Sequence, residues 1–509
     1  MNDDGSLSRR EMTTTVPTVL HRLFEQHFGT PPTSEEPVAA DASQRRMLRL
    51  WGAGGEQAVG VLGPDADENR AFLSFTRTFT DLGLPVPRLY AVDEQAGAWL
   101  EEDLGRTTLF DLVLAARRAG TDGLPGELVE VYRRVLTLLP RFQVEGGRAV
   151  DYGVAYPRAA FDAQAMRWDL SYFKYHFLML AHVPFHEDRL ERDFAQLVDF
   201  LLETETDHFV YRDFQSRNIM VRDGHPAFLD YQGGRRGALQ YDVASLLHDA
   251  KAGLGEELRE ELLDSYLTAL ETHLPVDRAD FAAHYRGYVL LRTLQALGTY
   301  GYRGFYERKP RFLKSVAPRV TDLEGLLHSG FVDVDLPELE TVLERVCASD
   351  RLRPPPPPED GALHVHVGSF SYKRGYPRDR GGHGGGMVFD CRAVENPGRD
   401  PAYADLTGRD EPVIAFLESI PGASSFFTHA QALVDAQIEV YQARGFQALD
   451  VHFGCTGGQH RSVYFAEGLA RHLADHFPDI HVHLEHAEAD TWPRRARTAG
   501  DARVRSSRP

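Results

Sequence analysis

Three oxygen-bearing side chains stand in an order suited to phosphoryl transfer. Asp213 comes first, Asn218 follows five positions later, and Asp230 twelve positions after that. They lie in Tyr211-Arg212-Asp213-Phe214-Gln215-Ser216-Arg217-Asn218 and in Phe228-Leu229-Asp230-Tyr231-Gln232. An acceptor hydroxyl needs a carboxylate to take its proton, and Mg2+ needs hard oxygen ligands beside the phosphates of ATP. Base, metal-binding amide and metal-binding carboxylate in that order supply both. The first block alone is a weak signal, because loops are rich in Asp and Asn. The Asp-Tyr-Gln block at short spacing strengthens it. So does Asp242, in Gln240-Tyr241-Asp242, a further twelve residues on.

These side chains need short elements to hold them. Phe209-Val210, Ile219-Met220-Val221 and Ala227-Phe228-Leu229 read as strands, so the three polar groups fall at the loop ends of a small sheet. Upstream, residues 16–28 and 69–82 have helical spacing, and Pro85-Val86-Pro87 ends the second helix. From Leu109 to Cys347 the periodicity is mostly helical. One segment, 161–180, carries Trp168, Tyr172, Phe173, Tyr175 and Phe177, which at helical spacing is first of all a core pattern.

The chain has 509 residues, enough for two or three domains, and an apolar fraction of 42% supports folded cores. Its formal net charge of −19 disfavours nonspecific nucleic-acid binding, which needs basic surface. Three widely spaced cysteines, Cys347, Cys391 and Cys455, make no zinc pattern and suit a reduced, cytoplasmic setting. No apolar run is long enough to span a membrane, and the polar N-terminus lacks a signal-peptide core. A boundary falls at Pro354 through Pro358, five prolines that favour a stiff, extended spacer.

Beyond it, Leu449-Asp450-Val451-His452-Phe453-Gly454 reads as a strand, Cys455 to Ser462 as a glycine-rich loop, and Val463 to His476 as a helix. Such a loop aims backbone N–H groups at one point, and the helix N-terminus adds positive potential, so a phosphate site is expected. Arg461 is of a type that grips two phosphate oxygens. The loop also fits a C-x5-R pattern, in which Cys455 would be a thiolate nucleophile. Against that, Gly454 stands where such loops carry His.

The first set of blocks resembles the aminoglycoside phosphotransferase and choline kinase family, within it the anomeric kinases of N-acetylmuramate and N-acetylglucosamine. The likeness spans about 15 to 345 and includes Asp41-Ala42-Ser43-Gln44-Arg45-Arg46 and Leu100-Glu101-Glu102-Asp103-Leu104-Gly105. It implies an α+β, protein-kinase-like, two-lobed phosphotransferase: N-lobe 1–103 and C-lobe 104–349. It makes Asp213 the base, assisted by Arg217, and Asn218 and Asp230 the Mg2+ ligands. Ser43, Arg45, Arg46, Glu101 and Asp103 would face ATP. Asp242 would brace the catalytic loop. The strand lysine that usually pairs with the phosphates is missing from Gln57-Ala58-Val59-Gly60-Val61-Leu62, and Tyr211 stands where His is common. Arg45 or Arg46 is a candidate replacement for that lysine, and Glu68 a candidate to orient it.

After the linker, 350–361, residues 362–488 resemble the RapZ C-terminal domain, known for sensing glucosamine 6-phosphate. The blocks are Ser369-Phe370-Ser371-Tyr372-Lys373-Arg374-Gly375, Val388-Phe389-Asp390-Cys391-Arg392, Asn396-Pro397, Leu406-Thr407-Gly408 and the loop 454–462. This implies a second α/β domain whose strand, glycine-rich loop and helix form a sugar-phosphate site. Thr456, Gly457, Gly458, His460 and Arg461 would hold the ligand, with Lys373 and Arg392 near it. Gly398-Arg399 follows Asn396-Pro397 where His is expected. Self-association through this domain is a further expectation. Residues 489–509 read as a basic tail and Gly381 to Gly386 as a loop around His383.

The joint expectation is an ATP- and Mg2+-dependent cytoplasmic kinase of an amino sugar, fused to a domain that binds a sugar phosphate. The acceptor remains open to an aminoglycoside, choline or another small alcohol. An inactive kinase half serving a metabolite sensor, and a phosphatase at Cys455, are the readings from other classes.

Overall fold

The computed structural model describes residues 9–38, 45–120, 123–249, 252–328, 330, 332–349, 352–353, 361–377 and 386–492. Ser43, the prolines from Pro354 to Pro358, the Gly381–Gly385 stretch with His383, and the arginines from Arg494 onward lie outside them. The chain divides into two compact units, 1–307 with 315–352, and 353–509 with 308–314.

In the first unit, β1 (Ser34–Val38), β2 (Arg46–Trp51), β3 (Gln57–Leu62), β4 (Leu89–Asp93) and β5 (Ala98–Glu101) form an antiparallel sheet in the order β1-β2-β3-β5-β4. Helix α1 (Arg9–Phe28) seals part of it with Leu20, Leu23 and Phe24 against Leu50, Ala58 and Leu100. Helix α2 (Ala66–Asp81) starts at Asp65, whose carboxylate accepts the backbone N–H groups of Asp67 and Glu68. That N-cap is reinforced by acids in the first turn, which the helix dipole favours. α2 buries Phe72, Phe75 and Phe79, one turn apart, and Gly83 at φ +65° turns the chain out of it.

The remainder of the unit is largely helical, with two small two-stranded sheets. β6 (His208–Val210) pairs with β9 (Arg235–Gly237), and β7 (Ile219–Arg222) with β8 (His225–Phe228). Asp223 and Gly224, at φ +53° and +73°, make the two-residue turn between β7 and β8. An Asp-Gly pair suits this turn because both central residues need positive φ. The aromatic segment is helical over Ala163–Phe173, then widens to a π turn over Lys174–Leu178. Phe173 and Phe177 are buried as the core reading expects, whereas Trp168 and Tyr175 are half exposed.

The second unit is a four-stranded parallel sheet in the order β11-β12-β10-β13, from β10 (Leu363–Ser371), β11 (Met387–Asp390), β12 (Ala448–Cys455) and β13 (Ile480–His486). Val365, Val367, Val451 and Phe453 alternate along β10 and β12 and bury against Phe465, Leu469 and Leu473 of helix Arg461–His476. All three cysteines are free. Among the described residues, no helix is long and apolar enough to cross a membrane.

Candidate active site and phosphate loop

The twelve-residue gap between Asn218 and Asp230 is the length of a hairpin. β7 and β8 pair Ile219 with Phe228, so the residues just outside, Asn218 and Leu229, are opposed, and Leu229 N–H donates to Asn218 O at 2.9 Å. The chain then turns at Asp230, φ +68°. The Asn218 amide nitrogen donates to Asp230 Oδ2 at 3.1 Å and to the backbone oxygen of Asp213 at 2.8 Å. One amide thus ties the Asp213 loop to the Asp230 carboxylate and leaves its own oxygen for a ligand. Gln232 Nε2 donates to Asp230 Oδ1 at 2.6 Å. Asp230 reaches solvent, yet its packed setting and, next, the charge of Asp213 push its carboxyl up.

The loop carrying Asp213 is held from below. Asp242, fully buried in helix Gln240–Leu247, accepts the backbone N–H groups of Tyr211 at 2.7 Å and Arg212 at 3.0 Å. Burial pushes this carboxyl up to about 7, against the opposing pull of those two hydrogen bonds. The Tyr211 ring packs among Phe142, Phe214 and Tyr231, and its hydroxyl donates to Leu229 O. An aromatic therefore does fill the position where histidine is common. Arg212 adopts φ +79°, a left-handed conformation that costs a non-glycine residue about 1–2 kcal/mol. Asp169 at 2.8 Å, the Tyr241 hydroxyl and the Phe161 ring hold its side chain there. Ser216 Oγ donates to Asp249 at 2.8 Å. Asp213 itself is exposed, and Arg217 is half-buried.

Arg45 and Arg46 part company, as neighbours entering a strand do. Arg46 is exposed. Arg45 lies 3.2 Å from Glu68 Oε1 and spans the Phe72 and Trp99 rings at 5.3 Å each. Its charge also acts on Asp230. Arg45 is thus a cation paired with an acid in the first turn of α2. Tyr231 continues this connection: it stacks on Phe72 at 5.3 Å and shares a 2.6 Å hydrogen bond with Thr76.

Glu101 and Asp103 have structural duties on their carboxylates. Glu101 is buried and accepts from Trp99 Nε1 at 2.7 Å, and burial pushes it up to about 7. Asp103 takes Arg49, Gln57 and the Gly105 N–H. Arg49 also donates to Gly105 O at 2.7 Å. The side chains therefore pin the segment between β5 and the helical half. Asp169 is engaged by Arg212 at 2.8 Å. Arg167 is exposed.

In the second unit, Thr456 and Gly457 are exposed at the loop tip, while Gly458, at φ +70°, packs against Ser371 and Glu488. Ser371 Oγ donates to Thr456 O at 2.8 Å and accepts the Lys373 backbone N–H at 3.3 Å, while Lys373 itself is exposed. Arg392 stacks on Tyr372 at 4.0 Å and forms a bidentate pair with Asp390. His460 is bonded to Tyr403 O at 2.9 Å, and burial pulls its imidazole down. Arg461 departs most from expectation. It is 5% exposed, and one guanidinium nitrogen donates to the carbonyls of Val394 at 2.7 Å, Arg392 at 3.1 Å and Cys391 at 3.4 Å. In this arrangement it ties the 391–394 turn to the helix instead of reaching over the loop. Cys455 is buried, accepts the Gly458 N–H and touches Ser462 Oγ at 3.1 Å. With Arg461 turned away, the phosphatase arrangement is not formed. A Cβ at Gly454 would meet the Phe370 and Tyr372 rings at 2.5 Å, which accounts for glycine there.

The comparisons with known proteins follow the same division. Residues 34–279 match the phosphotransferase enzyme family, and 363–490 match the RapZ C-terminal domain. A nucleotide-binding protein of Ruegeria pomeroyi is 40% identical over 134 residues, 26% of this chain and 45% of its own. The chain thus spans less than half the length of that relative. An N-acetylmuramate/N-acetylglucosamine kinase of Pseudomonas aeruginosa is 28% identical over 327 residues, 62% of this chain and 90% of its own. A choline/ethanolamine kinase family protein from Mesorhizobium loti aligns with a TM-score of 0.43 and 14% identity, over 66% of this chain and all of its own. The chain joins a phosphotransferase-family, kinase-like domain to a RapZ C-terminal domain.

Proposed function

We propose that the first unit is an ATP- and Mg2+-dependent kinase of an amino sugar of the N-acetylmuramate or N-acetylglucosamine type, acting at the anomeric hydroxyl in the cytoplasm. The observation that carries this reading is the Asn218 amide, which draws the Asp213 loop and Asp230 together. The donor set fits the metal. Asn218 Oδ1 and the Asp230 carboxylate are hard oxygens, and burial and then the charge of Asp213 push Asp230 up, which a divalent cation would offset. Among the described residues no group of three His, Cys, Asp or Glu could hold an ion. Mg2+ keeps phosphate oxygens and water among its ligands, so two protein oxygens would serve it. ATP supplies the phosphoryl group and Mg2+ neutralises charge on its oxygens.

Asp213 takes the hydroxyl proton as the acceptor oxygen bonds to the γ-phosphorus of ATP and the bond from that phosphorus to the bridging oxygen breaks, releasing ADP. Asn218 and Asp230 would hold the metal, Arg45 would face phosphate from its seat on Glu68, and Arg217 would steady the loop's ligand side. The Pseudomonas relative's name supports the choice of acceptor. The second unit would bind a sugar phosphate at Thr456, Gly457 and Gly458, with Lys373 and Arg392 adjoining. Purified protein with Mg2+-ATP and each amino sugar tests the first part. Turnover should appear with at least one and fall about 100-fold or more in Asp213→Ala, with ATP binding retained. Unchanged turnover in that variant would reject Asp213 as the base.

A further inference from the structure

Arg235, on β9, is 8% exposed, yet among the described residues no carboxylate lies within ion-pair distance of it. Its Nε donates to Gly233 O at 3.0 Å, and a terminal nitrogen reaches Tyr156 O at 3.5 Å. The neighbouring arginines are each provided for: Arg212 by Asp169, Arg158 by Asp162, Arg236 by Asp207. A buried cation without a counter-ion is costly, and such groups cluster where a ligand brings the missing charge. Burial and the adjacent Arg212 pull this guanidinium down to about 10.

Its place follows from the strand register. β9 sets Arg235 opposite Val210 of β6, and Asp213 follows Val210 by three residues. A Cβ at Gly233 would lie 3.9 Å from the Arg212 side chain and 4.0 Å from that of Arg235. Asp213 is also among the charges that act on Arg235. Arg235 thus lies beside the segment that leads into Asp213.

Resting on the kinase reading above, we propose that Arg235 pairs with an acidic substituent of the acceptor, a carboxylate or a phosphate, and so selects acidic sugars over neutral and polycationic acceptors. Arginine suits either anion through two parallel hydrogen bonds.

The test compares N-acetylmuramate, N-acetylglucosamine 6-phosphate, N-acetylglucosamine and an aminoglycoside at saturating Mg2+-ATP, in wild type and Arg235→Gln. Wild type should favour an acidic sugar over the neutral one by about 10-fold or more in kcat/KM, the worth of a charged hydrogen bond. The better acid identifies the anion. Arg235→Gln should erase the preference through KM while sparing kcat with the neutral sugar, and Arg235→Lys should keep part of it. Equal use of acid and neutral sugar by wild type, or an equal loss for both in Arg235→Gln, would overturn the proposal. Calorimetry of the same sugars without ATP reads the same ranking, so a protein that turns nothing over still decides it. If Arg235→Gln does not fold, salt decides on wild type: affinity for the acid alone should weaken as salt rises.

Discussion

At the scale of single residues, the pairing of Arg45 with Glu68 makes a separable claim. The charge of Arg45 acts on Asp230, and Glu68 pairs with Arg45 from the first turn of α2. Arg45→Ala should raise KM for ATP about 10-fold or more, and Glu68→Ala should do part of the same. The double variant should lose less than the sum, because the residues act as one unit. Strict additivity in a double-mutant cycle would break the link. Arg461 carries the opposite kind of prediction. Its three carbonyl partners make it a brace, so Arg461→Ala should destabilise the second unit by about 2–4 kcal/mol in urea unfolding. Selective loss of sugar-phosphate binding with unchanged stability would show that the guanidinium swings onto the ligand. Residue types pointed to Asp213, Asn218, Asp230 and the Glu68 partnership, because their chemistry and spacing are local. They did not show the partners that Arg461 and Asp103 take in the fold. A side chain's partner is set by what folding brings opposite it, and nothing in the local sequence marks a carbonyl turn 67 residues away.

At the scale of elements, the hairpin β7–β8 and helix Gln240–Leu247 do the positioning. The hairpin was readable, since two short apolar runs flank Asp-Gly. Its consequence was readable too, because its length fixes which residues oppose each other. The bracing by Asp242 was implied by the family resemblance, and the fold supplies its means, carrying that residue under a loop thirty positions earlier. Replacing Asp242 with Ala would orphan two buried backbone N–H groups and should cost about 2–4 kcal/mol along with turnover. The pH dependence runs the other way from a salt-bridged acid. The unfolded Asp242 titrates near 3.8, the folded one near 7. The folded protein therefore holds a proton that the unfolded chain has released, and stability falls as pH rises between those values. Glu101, also raised to about 7, adds to the same slope. Chemical denaturation of Asp242→Asn across this window should show a shallower slope than wild type. An unchanged slope would assign the whole effect to Glu101. The π turn within the aromatic segment was not legible, since a single inserted residue leaves the apolar period nearly intact.

At the scale of the whole molecule, a phosphotransferase-family domain and a RapZ C-terminal domain share one chain, and their proposed ligands are chemically related: one would make a sugar phosphate, the other would bind one. The five prolines marked the change of unit in sequence, since they suit neither helix nor sheet. The two contact-defined units part at 352 and 353, next to them. Separate sites have a testable consequence. Sugar phosphate should raise the melting temperature of the second unit equally in wild type and Asp213→Ala, and Thr456→Val with Lys373→Ala should abolish that shift while turnover persists. Loss of the shift in Asp213→Ala would place the sugar phosphate in the first unit instead.

The central claim is that the first unit transfers phosphate from ATP to an amino sugar with Asp213 as base. It is tested most directly by following ATP consumption with Mg2+ over N-acetylmuramate, N-acetylglucosamine, glucosamine, choline and an aminoglycoside, in wild type and Asp213→Ala. The expected result is turnover with an N-acetylated amino sugar, absent from the variant. Turnover only with choline or the aminoglycoside, or none with any acceptor while sugar phosphate still binds the second unit, would contradict it.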